Sequence, residues 1–320
     1  PLPETTTGTI SGSASRTRAT ACVMAARAAA AVLAVQGQLA KAGATTPGGE
    51  RRASSVEDTA PVVACGAAGV LLAAALARAL APDGLKRAAG LAAGGVLAVM
   101  PLHVYYSRES RGYALWSVIS LAILLTLVRA IQGTPSWRLW ALFALALGLG
   151  LYTHNYAVFW VPLGVVTAWL WAPAHRRHSA WATLGATVAW APWLPLVLEQ
   201  AGSGVTSWVA RFYEGFFRAL GTSLLSYTPS GPFPDYLGEI SSLDAGLPLG
   251  AAVWGGLALL GAVSLLGCVS WAVWNVQGVR RLLAPALAAG LLLPLAISSL
   301  SAPIHLAGRH DIALAGILAF

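Results

Sequence analysis

Apolar runs of membrane-crossing length dominate this sequence: 60–81, 88–105, 113–131, 137–152, 156–172, 179–198, 248–274, 282–300 and a last one beginning near 312. An α-helix needs roughly 20 apolar residues to cross a hydrocarbon core, and these runs approach that length. Inside a bilayer no water is at hand for backbone N–H and C=O groups, so a spanning segment must satisfy them itself or close into a barrel. Long runs without strict alternation point to helices. Only 10% of the 320 residues are charged and 57% are hydrophobic, whereas a soluble domain carries about 25% charge. So few charges cannot cover a water-facing surface. The expected fold class is all-α: a polytopic helical membrane protein with short exoplasmic loops.

The ends of the chain read differently. Residues 1–20 are rich in Thr, Ser, Gly and Arg and carry no periodicity, the pattern of a disordered segment. Met24, followed by Ala25-Ala-Arg27 and the apolar run Ala28–Val35, has the order of a start residue, a basic region and a signal-anchor core. Residues 40–58 form a polar linker. The domain reading is therefore 1–58 as a disordered or signal-anchor-like segment with its linker, and 59–320 as the transmembrane helical domain. The last run stops at Phe320 without a polar flank, so the domain reads as incomplete at its C-terminus. No internal repeat of fixed period is present.

Charge placement gives an orientation. Arg78, Lys86 and Arg87, then Arg129 and Arg138, then Arg176 and Arg177, then Arg280 and Arg281 fall in alternate loops. An excess of Lys and Arg marks cytoplasmic loops, so the connections at 103–112, 153–155, 199–247 and 301–311 are expected on the exoplasmic side. The net charge of +8 is explained by this topology signal. It does not imply nucleic acid, which would need the basic residues on one soluble face. Cys22, Cys65 and Cys268 are odd in number and widely spaced, in keeping with neither a disulfide framework nor a metal site. Within the 199–247 connection, Trp208–Leu220 places aromatics and arginines at helical spacing and is expected to be an interfacial helix.

Three small polar groups share the expected outer face. The first is Tyr105, Tyr106, Arg108, Glu109, Arg111 and Tyr113; the second is Tyr152-Thr-His154-Asn155-Tyr156; the third is His305 with Gly308-Arg309-His310-Asp311. Ionisable residues at membrane depth are costly and usually functional, although each group alone could merely cap a helix or anchor it at the headgroups. Guanidinium forks hold phosphate bidentately and keep their charge at low dielectric, so the set suits an anionic lipid-linked substrate. Glu109, between two arginines, reads first as their structural partner. His154 could donate to a phosphate or hold its hairpin by bonding backbone carbonyls.

The segment Pro101-Leu-His-Val-Tyr-Tyr-Ser-Arg-Glu-Ser-Arg-Gly-Tyr-Ala-Leu115 resembles the Tyr-Ser-x-Glu-x-Arg-x-Tyr signature of the dolichyl-phosphate-mannose protein mannosyltransferase-like (family 39) glycosyltransferases, of the GT-C superfamily. Leu151-Tyr-Thr-His-Asn-Tyr-Ala157 is similar to that family's Tyr-Thr-His hairpin, and Pro303–Asp311 to its late Arg-Tyr segment, with His310 in place of the tyrosine. The resemblance implies a GT-C-like transmembrane bundle in a membrane, with the plasma membrane of a prokaryote as the expected location. It implies transfer of a sugar from a polyprenyl-phosphate carrier to an acceptor on the exoplasmic face. Arg309, then Arg108 and Arg111, would bind the donor phosphate. Tyr106, Glu109, Tyr113, His154, Asn155 and His310 would line the pocket. An acidic residue of the first exoplasmic loop would act as base or as partner of a divalent metal. The family carries an Asp-Glu pair there. Here the linker offers Glu50 and, directly before the run 60–81, Glu57 and Asp58, which stand as the catalytic candidates. Either the catalytic segment lies outside this sequence or the chain is inactive as it stands. The competing expectation is a transporter or flippase for a lipid-linked or anionic substrate, whose helices should be broken or polar near the midplane. A passive membrane scaffold would leave the outer-face charges without a role.

Overall fold

In the computed structural model, residues 56–107, 112–202, 215–225, 282, 284–300 and 312–318 are described. Every regular element among them is helical. In chain order they are α1 (Val56–Leu80), α2 (Lys86–Val99), α3 (Pro101–Tyr106), α4 (Tyr113–Gln132), α5 (Trp137–Thr153), α6 (Val161–Trp171), α7 (Arg176–Trp190), α8 (Leu194–Gly202), α9 (Phe216–Leu225), α10 (Ala284–Leu300) and α11 (Ile312–Leu318). Three stretches are long and apolar enough to cross a membrane: Pro61–Leu80, Tyr113–Gln132 and Pro173–Glu199.

Prolines reshape several of the expected spans. The run 88–105 is two helices, because Met100 precedes Pro101 and takes an extended conformation (ψ 121°) between α2 and α3; proline disfavours the helical region for the residue before it. The run 156–172 opens with a 3-10 helix, Asn155–Trp160, before Pro162 starts α6. The run 179–198 likewise passes through a 3-10 turn at Ala191–Trp193, with Pro192 and Pro195 in adjoining first turns. Within α10 a π-helical turn spans Ala288–Leu292. The run 248–274 lies outside the described residues, as does most of the expected interfacial helix 208–220. At the end of that stretch, α9 begins at Phe216 and packs against the second half of α10.

Small residues bring α1 and α2 together. A Cβ on Gly90 would lie 2.6 Å from Arg78 Cγ, and one on Gly94 3.3 Å from Ala74 Cβ. The Gly-x-x-x-Gly spacing therefore seats α2 closely on α1. Helix α4 is central. Of its most apolar window 67% is buried, against 28% for α1 and 22% for the Pro173–Glu199 stretch. It contacts α1, α5 and α11, and Ser120 Oγ, buried on α4, donates to Ser117 O (2.8 Å) and to Ala313 O of α11 (3.0 Å).

The bundle has two chemically distinct ends. Gln132 Nε2 donates to Ala79 O at 2.8 Å, so α4 and α1 finish together. Trp140 Nε1 donates to His175 Nδ1 at 3.4 Å, and the Trp137 and His178 rings lie 4.4 Å apart, so α5 and α7 begin together. A four-residue turn joins the end of α4 to the start of α5. Arg78, Lys86, Arg87, Arg129, Arg138, Arg176 and Arg177 thus belong to loops gathered at one end. Arg176 reinforces it, donating to Trp169 O (2.8 Å) with its guanidinium 5.0 Å from the Trp169 ring. Tyr152, at the finish of α5, donates to Ala189 O (2.7 Å) near the finish of α7 and marks the opposite end.

Candidate functional site

At the end away from the basic loops, α3, the start of α4 and the α5–α6 hairpin meet through a ladder of rings. Tyr105 and Tyr106 are 5.1 Å apart, Tyr106 and Tyr113 5.0 Å, and Tyr113 and His154 5.6 Å. Trp116 stacks on His154 (5.8 Å, 19° between planes) and meets Trp160 edge-on at 5.7 Å. Tyr113 and Trp116 are three residues apart on α4 and so lie on one helix face, which lets both reach the same imidazole. Two of the three sequence-predicted groups are therefore brought together, by the contact between Tyr113 and His154.

Each partner of the ladder is held from behind. His103, buried on α3, has its Nε2 3.1 Å from Gly66 O of α1. A Cβ on Gly69 would stand 3.0 Å from His103 Cε1, so the glycine lets the imidazole pack close against α1. Gly150 of α5 does the same for the Trp116 ring, whose Cζ3 lies 3.1 Å from where its Cβ would be. Thr153 Oγ1 donates to Leu149 O (2.7 Å) in the last turn of α5. His154 then leaves the helix with extended backbone (φ −151°, ψ 124°), and its Nδ1 accepts from Tyr156 N–H at 3.1 Å, capping the 3-10 helix that follows. The imidazole thus holds the hairpin through an amide. Asn155 is exposed beside it, and Tyr156 is buried with its ring 5.0 Å from Phe159.

Arg108, Glu109 and Arg111 lie outside the described residues, in the stretch between Tyr106 and Tyr113 of the ladder. Arg309 and His310 also lie outside them, with His305 and Asp311, just before α11. Helix α11 itself docks on α4 one turn past Trp116, through the Ser120–Ala313 bond, and Ile312 is buried. The backbone of Glu57 and Asp58 falls in the first turn of α1. At 1.5 Å of rise per residue this is roughly 12–14 Å along the axis from Gly66, away from the basic end.

Sequence reading did not single out Trp116, Trp160, Ser107 or Ser117 as site residues. All four are buried, and Trp116 Nε1, Trp160 Nε1, Ser107 Oγ and Ser117 Oγ have no hydrogen-bond partner among the described residues. A buried donor left unpaired costs about 1–3 kcal/mol, so these four atoms are the polar groups at this end that the described packing leaves unsatisfied. The i, i+3 relation of Trp116 to Tyr113 is the signal that could have found the first. Among the described residues no group of three or more His, Cys, Asp or Glu stands together to hold a metal ion. The side chains of Glu57, Asp58 and Glu109, which could serve a divalent cation, are not among those described.

A second aromatic–imidazole cluster, Trp137, Trp140, His175 and His178, sits at the basic end. Comparison with known proteins places the chain beside none of them: no family model matches it, and neither does any curated protein or solved structure.

Proposed function

We propose that this chain is a polytopic integral membrane protein that transfers a sugar from a polyprenyl-phosphate carrier to an acceptor at the exoplasmic face. The membrane part of this reading is supported by the outward face of α5. Leu142, Leu145 and Leu149 form an exposed apolar stripe there, with exposed Trp137 and Tyr152 at its two ends. Fifteen residues separate the two aromatics, roughly 22 Å of helix. Trp and Tyr favour the two interfaces of a hydrocarbon core about 30 Å thick, and a few ångströms of mismatch cost only fractions of a kcal/mol each. Trp181, Leu184 and Val188 repeat the exposed apolar pattern on α7. With the basic end cytoplasmic, the ring ladder faces outward.

The observation that carries the enzymatic reading is the meeting of Tyr106 and Tyr113 with His154 at that end. It joins the two segments in which the family 39 resemblance is strongest, and it brackets the arginine-bearing stretch 108–111. In the proposed reaction Arg111, Arg108 and Arg309 hold the donor phosphate. The acceptor oxygen bonds the anomeric carbon as the bond from that carbon to the phosphate oxygen breaks. The acceptor proton passes to a carboxylate, with Glu57 or Asp58 the candidates, and polyprenyl phosphate departs as a stable anion. Orientation and charge neutralisation are then the protein's main tasks.

Binding of a radiolabelled polyprenyl-phosphate hexose to the full chain in lipid nanodiscs tests this directly. The wild type should bind, and Arg111→Ala or Arg309→Ala should weaken binding at least tenfold, the loss expected for a charge-assisted contact of about 1.5–3 kcal/mol. Folded wild-type protein that does not retain the donor would refute the reading. The π-helical turn at Ala288–Leu292 favours the alternative of a lipid-linked-substrate transporter, since such turns recur at functional interruptions of helices. Vesicle-to-vesicle or leaflet-to-leaflet movement of the same hexose lipid, without sugar transfer, is the outcome that reading requires.

A further inference from the structure

We infer that the basic end of the bundle binds an anionic glycerophospholipid, whose phosphate is held by Arg138 and Arg177 and whose acyl chains lie along the outer faces of α5 and α7. This rests on the membrane part of the proposed function and is independent of sugar transfer. Charge is the first observation. The seven basic residues gathered at this end are all exposed. Asp83, the one carboxylate there among the described residues, is engaged by Lys86. Arg176 is tied to the carbonyl and ring of Trp169, whereas Arg138 and Arg177 make no ion pair among the described residues.

Register is the second observation. Exposed Leu142, Leu145 and Leu149 follow Arg138 on α5, and exposed Trp181, Leu184 and Val188 follow Arg177 on α7. Both sets run i, i+4, i+7, i+11, which is one face of a helix, so each arginine heads an apolar stripe. Eleven residues separate it from the last member of that stripe, roughly 16 Å of helix. Half of a hydrocarbon core about 30 Å thick is nearly the same length, so each face matches one leaflet of acyl chain beneath a cation at headgroup level. Juxtaposition is the third observation. The Trp137 and His178 rings lie 4.4 Å apart, and Arg138 and Arg177 are their chain neighbours, so the two arginines belong to one corner. Neither helix has a side-chain cap or an acidic residue in its first turn, and the positive ends of both dipoles add to the guanidinium charge.

These features together select the occupant. A soluble polyanion would balance the arginines and leave the stripes uncovered. A zwitterionic lipid would cover the stripes and bring a cation of its own. An anionic phospholipid satisfies both, with its phosphate on guanidinium forks suited to it.

Electron spin resonance of the full chain in phosphatidylcholine nanodiscs, with trace spin-labelled phosphatidylglycerol or phosphatidylcholine, tests this. The wild type should restrict the anionic label in preference to the zwitterionic one, and 0.5 M salt should reduce the preference by screening. Arg138→Gln and Arg177→Gln should each lower the preference about fivefold, the share of one cation near the headgroups. Arg129→Gln removes an equal charge at the same end but heads no exposed stripe, since Leu125 one turn before it is buried, and it should retain most of the preference. Equal restriction of the two labels by wild type would overturn the inference, as would full preference in the Arg138 and Arg177 variants. So would an Arg129 variant as impaired as those two, or displacement of the label by glycerol phosphate at equal concentration, which would mean a site for free anions. A wild type that restricts neither label would overturn the membrane reading as well.

Discussion

Gly150 offers a graded test of how the site is assembled, because its missing side chain is filled by the ring on which His154 stacks. A Cβ placed there meets Trp116 Cζ3 at 3.1 Å, Ile123 Cδ1 at 3.3 Å and Ile119 Cγ2 at 3.4 Å. All three are outer atoms of side chains, so alanine asks each to retreat by a few tenths of an ångström. Replacing a helical glycine by alanine returns about 0.8–1.0 kcal/mol of helix propensity, which offsets that crowding. Gly150→Ala should therefore stay within about 0.5 kcal/mol of wild type, the range of a neutral substitution. Valine sends two further methyl groups into the same three neighbours. Overpacking of this kind costs about 1–3 kcal/mol, and the displaced Trp116 takes its stacked imidazole with it. Unfolding by SDS titration in mixed micelles gives the energies, and the His154 ¹⁵N resonances report the ring. The expected result is a near-neutral alanine and a valine variant that is about tenfold or more less populated in the folded state, with shifted His154 signals. A valine variant as stable as wild type with unmoved His154 resonances would refute the packing argument.

Two further outcomes follow from the same geometry. Ser120→Ala removes the donor to Ala313 O and should cost about 0.5–1.5 kcal/mol in the same titration, with α11 loosened; unchanged protection of Ala313–Leu318 in hydrogen exchange would count against that docking. At the basic end, the Lys86 ammonium, 2.5 Å from Asp83, holds the fully exposed carboxyl below its ordinary range through a hydrogen bond and Coulomb attraction. A depressed carboxyl favours the folded form above its unfolded pKa and loses that contribution as pH falls through the folded value. Lys86→Ala should accordingly raise the Asp83 titration midpoint seen by NMR, and an unmoved midpoint would remove the pair.

The positions of α1, α4 and α5 were legible because each is an uninterrupted apolar run between polar residues, and the observed bounds fall close to the expected ones. Met100-Pro101 was not read as a break, since the run continues apolar through both residues and only the backbone restriction by proline divides it. The alternate placement of basic loops was legible in charge alone, and the Gln132–Ala79 and Trp140–His175 bonds join the described ones at one end. The identity of the rings around His154 was not. In a soluble helix, polarity separates the inward face from the outward one; here both are apolar, so buried Trp116 and exposed Trp137 look alike in sequence. The tight seats for His103 and Trp116 depend on Gly69 and Gly150, whose neighbours come from other helices and leave no local trace.

The central claim is that the segments around Arg111, Asn155 and Arg309 open to one side of a membrane and the basic turns to the other. Single-cysteine variants at those three positions and at Lys86, Arg138 and Arg177, made after replacing Cys22, Cys65 and Cys268, can be treated in intact cells with a membrane-impermeant maleimide. The first three should be labelled from outside and the second three only after permeabilisation. Labelling of Arg111 and Asn155 positions from opposite sides, or of either together with Arg138 and Lys86, would contradict it.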